Sequence, residues 1–543
     1  EKGELDAEVK ELYQKNGIGH VLAISGLHIS FIGLGIYRII KKGGFGYFWS
    51  GILSVSVLSL YVLMIGFSVS VFRAYVMLLL RIGADMSGRV YDMLTALMLA
   101  ASFTVAMEPL YLTDAGFYLS YGAVLGILLV IPPLQSCFQS KEKVFSALLS
   151  SVGVNIALLP VLLWFYFEFP VYSVLWNLFV IPLMSFVLGL GMAGSFVMLL
   201  WKPLGLPFFF ACKMILILYE WTCRIGSQLP LAKLVIGKPE FWMVILYYGI
   251  LLFVLIVIPK IKKRRKRKYV WLSLVCIVII MAFPSRGKLT ITMLNVGQGD
   301  SIFLQGPMGK TYLIDGGSSD VGSLGKYRIE PFLKSQGIGA LDYVFLTHGD
   351  LDHCNGVEEM FARKSVGINI RHLVLPANYG TDEMLTRIAN AAKHVGTEVL
   401  VMHAGEYLVE GELKITCIQP IKGEYLEKNA GSLILDVRYG GFSMLCTGDV
   451  EKEGEELLLE RIKGNQYTVL KVAHHGSIYS TSQEFLESVR PQIALISSGK
   501  DNRYNHPHPD ILRRLEDAGC QILHTVKNGA ITIETDGNSL TIY

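Results

Sequence analysis

Between residues 20 and 284 ten apolar stretches follow one another with little polar surface between them: 21–40, 46–66, 68–84, 91–108, 115–135, 144–167, 171–200, 205–227, 241–259 and 269–284. A helix that crosses a bilayer needs about 20 apolar residues, within a range of about 17–25, and most of these stretches meet that length. Residues 68–84 carry Arg73 and Arg81, and 269–284 is short, so these two are the weaker candidates. The stretch 171–200 is long enough to be tilted or broken, and Pro182 with Gly189, Gly191 and Gly194 favours a break. Composition agrees: 52% of residues are hydrophobic and 17% charged, where soluble domains carry about a quarter charged. The expectation is a polytopic α-helical membrane domain over residues 1–284, with about nine to ten spans and a short amphipathic helix over 4–15 ahead of them.

Orientation follows from the run Lys260 to Lys268, which places eight basic side chains within nine residues between two apolar segments. Such a run favours the cytoplasmic face, and Arg38, Lys41 and Lys42 mark a second cytoplasmic end. Eight candidate spans separate the two, an even number, as shared sidedness requires. A last crossing over 269–284 then puts residue 285 onward outside the cytoplasm, in a multi-pass protein of the cell (inner) membrane. The net charge of +4 names no partner, because the basic run alone accounts for it. Eight cysteines without a CxxC pair read as single buried thiols. The chain starts at Glu1 without a signal peptide, and a natural N-terminus lying further upstream is the expectation.

After Ser285 the pattern changes to short strands between turns and helices. Strands are expected over 288–296, 301–305, 311–315, 343–348, 372–376, 432–439, 442–449, 468–475 and 492–498. Helices are expected over 356–364, 382–394, 451–463, 482–489 and 509–518. Two packed sheets with helices outside them, in four layers, fit this order.

The sharpest chemical signal is Thr347-His348-Gly349-Asp350-Leu351-Asp352-His353, at the end of an apolar strand. Four potential ligands within six residues at a strand end can converge on one point, and imidazole and carboxylate suit zinc or manganese. Asn295-Val296-Gly297-Gln298-Gly299-Asp300-Ser301 and Leu313-Ile314-Asp315-Gly316-Gly317 precede it. Thr447-Gly448-Asp449 and Ala473-His474-His475-Gly476-Ser477 follow. In this order the motifs resemble the metallo-β-lactamase superfamily over residues 288–543, and the resemblance implies an αββα sandwich with hydrolase chemistry.

The resemblance also implies two divalent ions, Mn²⁺ or Zn²⁺, held by His348, Asp350, Asp352, His353, Asp449 and His475. Asp449 would be shared, one of His474 and His475 (His475 by preference) would bind the second ion, and its neighbour would contact substrate. Asp350 stands where many zinc members have histidine, and Lys428-Asn429-Ala430-Gly431-Ser432 stands where another histidine is usual, which makes the site harder and Mn²⁺ as credible as Zn²⁺. Asp350 or Asp352 would orient the attacking water. Asn429, Ser432, Arg503 and His506 are expected to meet substrate, since charged and planar donors match phosphate oxygens; His508 reads equally as a helix-entry residue before Asp510.

Within the apolar half, His28 in Ser25-Gly26-Leu27-His28 and Arg73 are ionisable groups where such groups are costly, so both are candidates for a polar path. The sequence Phe117-Tyr118-Leu119-Ser120-Tyr121 is a further signature. Together the two halves resemble the ComEC competence family, which implies uptake of a single DNA strand through the membrane while the outer domain degrades the other. Partners would be DNA, the lipid bilayer and other competence proteins. These include a separate ATPase, since no GxxxxGK[ST] motif is visible. Two alternatives stand beside this: an outer domain that binds or threads DNA without cutting it, and a membrane-anchored metallo-hydrolase of a small substrate.

Overall fold

The computed structural model describes residues 6–22, 26–138, 142–263, 267, 269–282, 287–423 and 429–543. Ser25 of the first membrane motif, Arg264, Arg265, Lys266 and Lys268 of the basic run, Ser285 and Lys428 lie outside the described residues. The chain divides into two compact units, Glu1–Phe283 and Pro284–Tyr543.

In the first unit each of the ten apolar stretches contains a helix. Among the described residues six helices are long and apolar enough to cross a membrane: Tyr47–Ile65, Ala115–Gln135, Lys143–Tyr166, Ser173–Leu200, Lys202–Gln228 and Phe241–Lys260. Gly26–Lys42, Met93–Met107 and Leu272–Ala282 are shorter, and Val69–Ser87 carries Arg73, Arg81 and Asp85. The expected break in 171–200 is not there: Ser173–Leu200 is one helix with Pro182 inside it. It packs along Lys202–Gln228, and Gly194 makes room, because a Cβ there would come 2.7 Å from Phe208 Cβ. Small residues at a helix contact are how apolar helices approach without a hydrophobic driving force. Phe179, Phe186, Phe196, Leu199 and Leu200 of the first helix stay exposed, a surface suited to lipid. The short strands β1 (Glu168–Pro170) and β2 (Lys233–Val235) pair antiparallel. Ala7–Lys15 is the amphipathic helix expected near the start, and Asp6 caps it by accepting from Glu8 N.

The second unit is a four-layer αββα sandwich. Its first sheet has the order β17-β16-β3-β4-β5-β6-β7-β8, from Leu289–Met293 (β3), Ile302–Gln305 (β4), Thr311–Ile314 (β5), Ala340–Phe345 (β6), Asn369–Pro376 (β7), Glu398–Met402 (β8), Ile531–Thr535 (β16) and Leu540–Ile542 (β17). The second has the order β15-β14-β13-β12-β11-β10-β9, from Tyr407–Glu410 (β9), Leu413–Gln419 (β10), Ile434–Tyr439 (β11), Phe442–Cys446 (β12), Val469–Lys471 (β13), Ile493–Ile496 (β14) and Gln521–His524 (β15). Strands β5 to β8 run parallel in one sheet and β12 to β15 in the other. Parallel neighbours need crossovers, and helices supply them, among them Leu351–Ala362, Glu383–His394, Glu453–Arg461, Gln483–Val489 and Pro509–Asp517.

Apolar residues of both sheets meet in a central layer that includes Ile291, Leu304, Phe345, Ile415, Leu435 and Met444. A second cluster lies under the helices of the first sheet and a third under those of the second. All three draw only on residues of this unit, so it carries its own core.

A candidate metal centre at the strand ends

The expected metal ligands lie at or just beyond the carboxyl ends of strands, with Asp352 and His353 in the first turn of the helix Leu351–Ala362 that follows β6, whereas Ser432 precedes β11 and Arg503 and His506 lie in the loop after β14. Asp315 follows β5, His348 follows β6, Asp449 follows β12, and His474 and His475 follow β13. Parallel strands in two facing sheets thus bring sequence-distant loops to one edge.

Backbone contacts lock these loops together. Asp300 N donates to Asp352 O at 3.0 Å, Gly316 N to His353 O at 2.8 Å and Gly317 N to Asp300 O at 3.1 Å. The approach leaves no room for a side chain: a Cβ on Gly317 would lie 2.3 Å from His353 N. Asp315, in a left-handed conformation at φ 57°, accepts from Thr347 N and Thr347 Oγ1, each at 2.8 Å, and its Oδ2 hydrogen-bonds His353 Nδ1 at 2.9 Å. That bond turns His353 Nε2 toward Asp449, 3.1 Å from Oδ2.

Asp449 is the hub. Its Oδ2 lies 4.0 Å from His348 Nε2, 3.1 Å from His353 Nε2, 3.7 Å from His474 Nε2 and 3.5 Å from His475 Nε2. Asp352 Oδ2 is 3.5 Å from His475 Nε2, and Asp350 Oδ2 is 3.6 Å from His348 Nε2. Asp350 starts the helix Leu351–Ala362 but its side chain makes no capping bond to it. His475 Nδ1 hydrogen-bonds Ser497 O at 3.0 Å, leaving Nε2 aimed at the carboxylates. His474 instead hydrogen-bonds Glu451 at 2.6 Å and is the more exposed of the pair.

A cation fits this set on the structure's own terms. The Nε2 atoms of His348, His353 and His475 are all buried and none makes a hydrogen bond, although buried polar groups normally find partners. Ligand atoms of Asp300, His353, Asp449 and His475 all lie within 4.8 Å of one another.

The electrostatics match. Burial opposes charge throughout, yet Asp449 and Asp315 hold the His353 pKa well above its usual value, and Asp449 and Asp300 lift His475 to about 9. Against the same burial, His353, His475 and Lys471 press Asp449 well below the carboxylate range. His474 is raised, against burial, by Glu451 and Asp449. His506 is lowered to about 4 by burial and by its neighbours His474 and His475.

Four residues here carry weight without having been singled out individually in the sequence: Asp300, Asp315, Glu451 and Lys471. Lys471 is buried, ion-pairs with Asp300, lies 3.5 Å from Asp449 Oδ1 and donates to Gly448 O at 2.9 Å. Asp300 and Asp315 sit inside the two glycine motifs; Lys471 is a lone charge in an apolar strand, and that is the signal that marks it.

The remaining sequence candidates divide. Ser432 is buried and its Oγ accepts from Asp449 N at 3.4 Å while donating to Asn429 O at 2.8 Å. Ser432 thus buttresses the Asp449 loop, and Asn429 joins it through its backbone. His506 lies beside the cluster, its ring 5.5 Å from that of His474. Arg503 is exposed and stacks over Tyr504 instead of reaching the cluster. His508 caps the helix Pro509–Asp517, accepting from Asp510 N at 3.2 Å, which is its structural reading. In the first unit Arg73 donates from Nε to Ser120 Oγ at 2.9 Å, and His28 is buried. The eight cysteines are free thiols.

Fold and site together define a multi-pass membrane protein that carries a metallo-β-lactamase-type hydrolase domain, a fold that implies divalent metal. A profile described as the metallo-beta-lactamase superfamily matches residues 294–500, and one described as competence protein matches residues 1–261. The chain is 30% identical to ComE operon protein 3 of Bacillus subtilis, over 97% of this chain and 69% of that protein. It is 25% identical to Recombination protein 2 of Haemophilus influenzae (98% and 70%) and 25% identical to competence protein ComA of Neisseria gonorrhoeae (96% and 71%). The chain belongs to the ComEC competence family, a DNA-uptake family.

Proposed function

We propose that residues 1–284 conduct one DNA strand across the cell membrane and that residues 285–543, outside the cytoplasm, hydrolyse the other strand. The observation that carries the hydrolytic part is the buried ring of three histidine Nε2 atoms without hydrogen bonds around Asp449. His348, Asp350, Asp352, His353, Asp449 and His475 would hold two divalent cations, Mn²⁺ or Zn²⁺, with Asp300 beside them. Bound there, the cations would neutralise a phosphodiester and lower the pKa of water.

The chain's own groups would do the rest. Asp350 or Asp352, the more exposed carboxylates of the set, orients the water and takes its proton as its oxygen bonds phosphorus. The opposite phosphorus–oxygen bond breaks as this one forms. His474, whose hold on a proton Glu451 strengthens against burial, passes one from Nε2, when it carries it, to the departing oxygen. Lys471 keeps Asp300 and Asp449 ionised and in place.

The orientation rests on the basic run Lys260–Lys268, which favours the cytoplasmic face. Cysteine labelling from outside intact cells tests it: a cysteine at exposed Tyr543 should react with an impermeant maleimide, and protection of that site would reverse the assignment. Partners in uptake would be other competence proteins, including a separate ATPase.

A further inference from the structure

The rim beside His474 carries two exposed tyrosines, each with a cation over its ring. Tyr479 is 64% exposed and Lys452 Nζ lies 5.0 Å from its ring centre; Tyr504 is 45% exposed with the Arg503 guanidinium 4.7 Å from its centre. What sets them apart from ordinary surface aromatics is how they are tied to His474. Tyr504 stacks on His506 at 5.7 Å and 25°, and His506 lies 5.5 Å from the His474 ring. On the other flank Tyr479 N donates to Ser477 Oγ, which donates to Glu451, the carboxylate that holds His474. Lys452 follows Glu451 directly, at φ 44° and ψ −116°, a costly conformation for a residue with a side chain.

We infer that Tyr479 and Tyr504 form a stacking platform for unpaired bases flanking the scissile phosphate, with Lys452 and Arg503 on the adjoining phosphates, so that the domain takes single strands or frayed ends. Aromatic faces next to cations are what sequence-tolerant single-strand binding needs, because every base presents a π-face. A duplex keeps its bases inside the stack and offers these rings only backbone. The inference rests on the nuclease reading for the identity of the phosphate, but the test does not depend on cleavage.

The test measures binding of labelled oligonucleotides by the isolated second unit, which carries its own core, in EDTA so that no strand is cut. Tyr479→Leu and Tyr504→Leu should each weaken binding of oligo-dT by roughly tenfold and leave an abasic oligomer of equal length unaffected. The Phe variants should bind as the wild type does. Lys452→Gln and Arg503→Gln should each reduce the salt slope by about 0.7. Equal loss on abasic and dT strands, or no loss in the double Leu variant with an unchanged melting curve, would overturn the platform, as would wild-type protein that binds duplex and single strand alike. Tyrosine-dependent binding without cleavage once metal is restored would leave the platform standing and remove the nuclease reading instead.

Discussion

Residue by residue, the site of the second unit is governed by one buried lysine that belongs to the chain. Lys471 sits between Asp300 and Asp449, and a buried charge stripped of its partner costs about 3–5 kcal/mol. Lys471→Met should therefore lower the unfolding free energy of the second unit by about that much, read as a shift of the urea midpoint. Added Mn²⁺ should restore part of the loss, since a bound divalent ion meets the same carboxylates. A variant as stable as the wild type would mean that Asp300 and Asp449 do not depend on Lys471. The legibility of the site at this scale is uneven for a physical reason. Ligands clustered in a short loop, as in His348–His353, announce themselves by spacing. Asp315 and Lys471 act through contacts between strands that are far apart in sequence, and no spacing encodes those.

At the scale of elements, glycine contacts fix the loops and turns fix the edges. Gly317→Ala places a Cβ against the backbone of Asp352 and His353, where nothing flexible can yield. Metal retention should drop at least tenfold with the secondary structure kept, measured by metal analysis after dialysis and by circular dichroism; full metal content would show that the loops have slack.

The hairpin of β16 and β17 gives a pH dependence. Asp536 accepts from Asn538 N, Ser539 N and Ser539 Oγ, and these bonds lower its pKa to about 2. A depressed carboxylate stabilises the fold above its unfolded value of about 4 and loses that contribution as pH falls through its folded value. Thermal midpoints of wild type and Asp536→Ala should differ above about pH 4 and converge toward pH 2; a constant gap would assign the turn's stability to something other than the ionised carboxylate.

The expected strands are those with continuous apolar runs, which become the buried strands β3 to β7 and β11 to β14. The strands β8 to β10 and β15 to β17 went unread. β8 and β9 are short and only partly buried, leaving Val401, Tyr407 and Val409 exposed, and β10 and β16 alternate apolar with polar residues. Periodicity of two is the signal such strands give, and it is weak over so few residues.

For the whole molecule, the two units should be separable by mutation. Arg73 reaches Ser120 Oγ and lies 5.9 Å from the Tyr121 ring, tying Val69–Ser87 to the helix that starts at Ala115. An ionisable group in an apolar bundle is costly and tends to be functional. Arg73→Gln should reduce DNA uptake by at least tenfold while metal-dependent hydrolysis by the other unit is unchanged; intact uptake would take Arg73 off the conduction path. The apolar series made the membrane half readable almost helix by helix, because length and hydropathy alone set the pattern. The continuity of Ser173–Leu200 through Pro182 was not readable, since it depends on packing against Lys202–Gln228.

The central claim is that the second unit is a metal-dependent nuclease. The direct measurement incubates that unit with end-labelled single- and double-stranded DNA and Mn²⁺ or Zn²⁺, beside Asp352→Ala and His353→Ala. Cleavage that requires metal and is lost in both variants, with their folds intact, is the predicted result. Cleavage that persists in both variants, or a folded, metal-loaded wild type that cuts neither substrate, would contradict it.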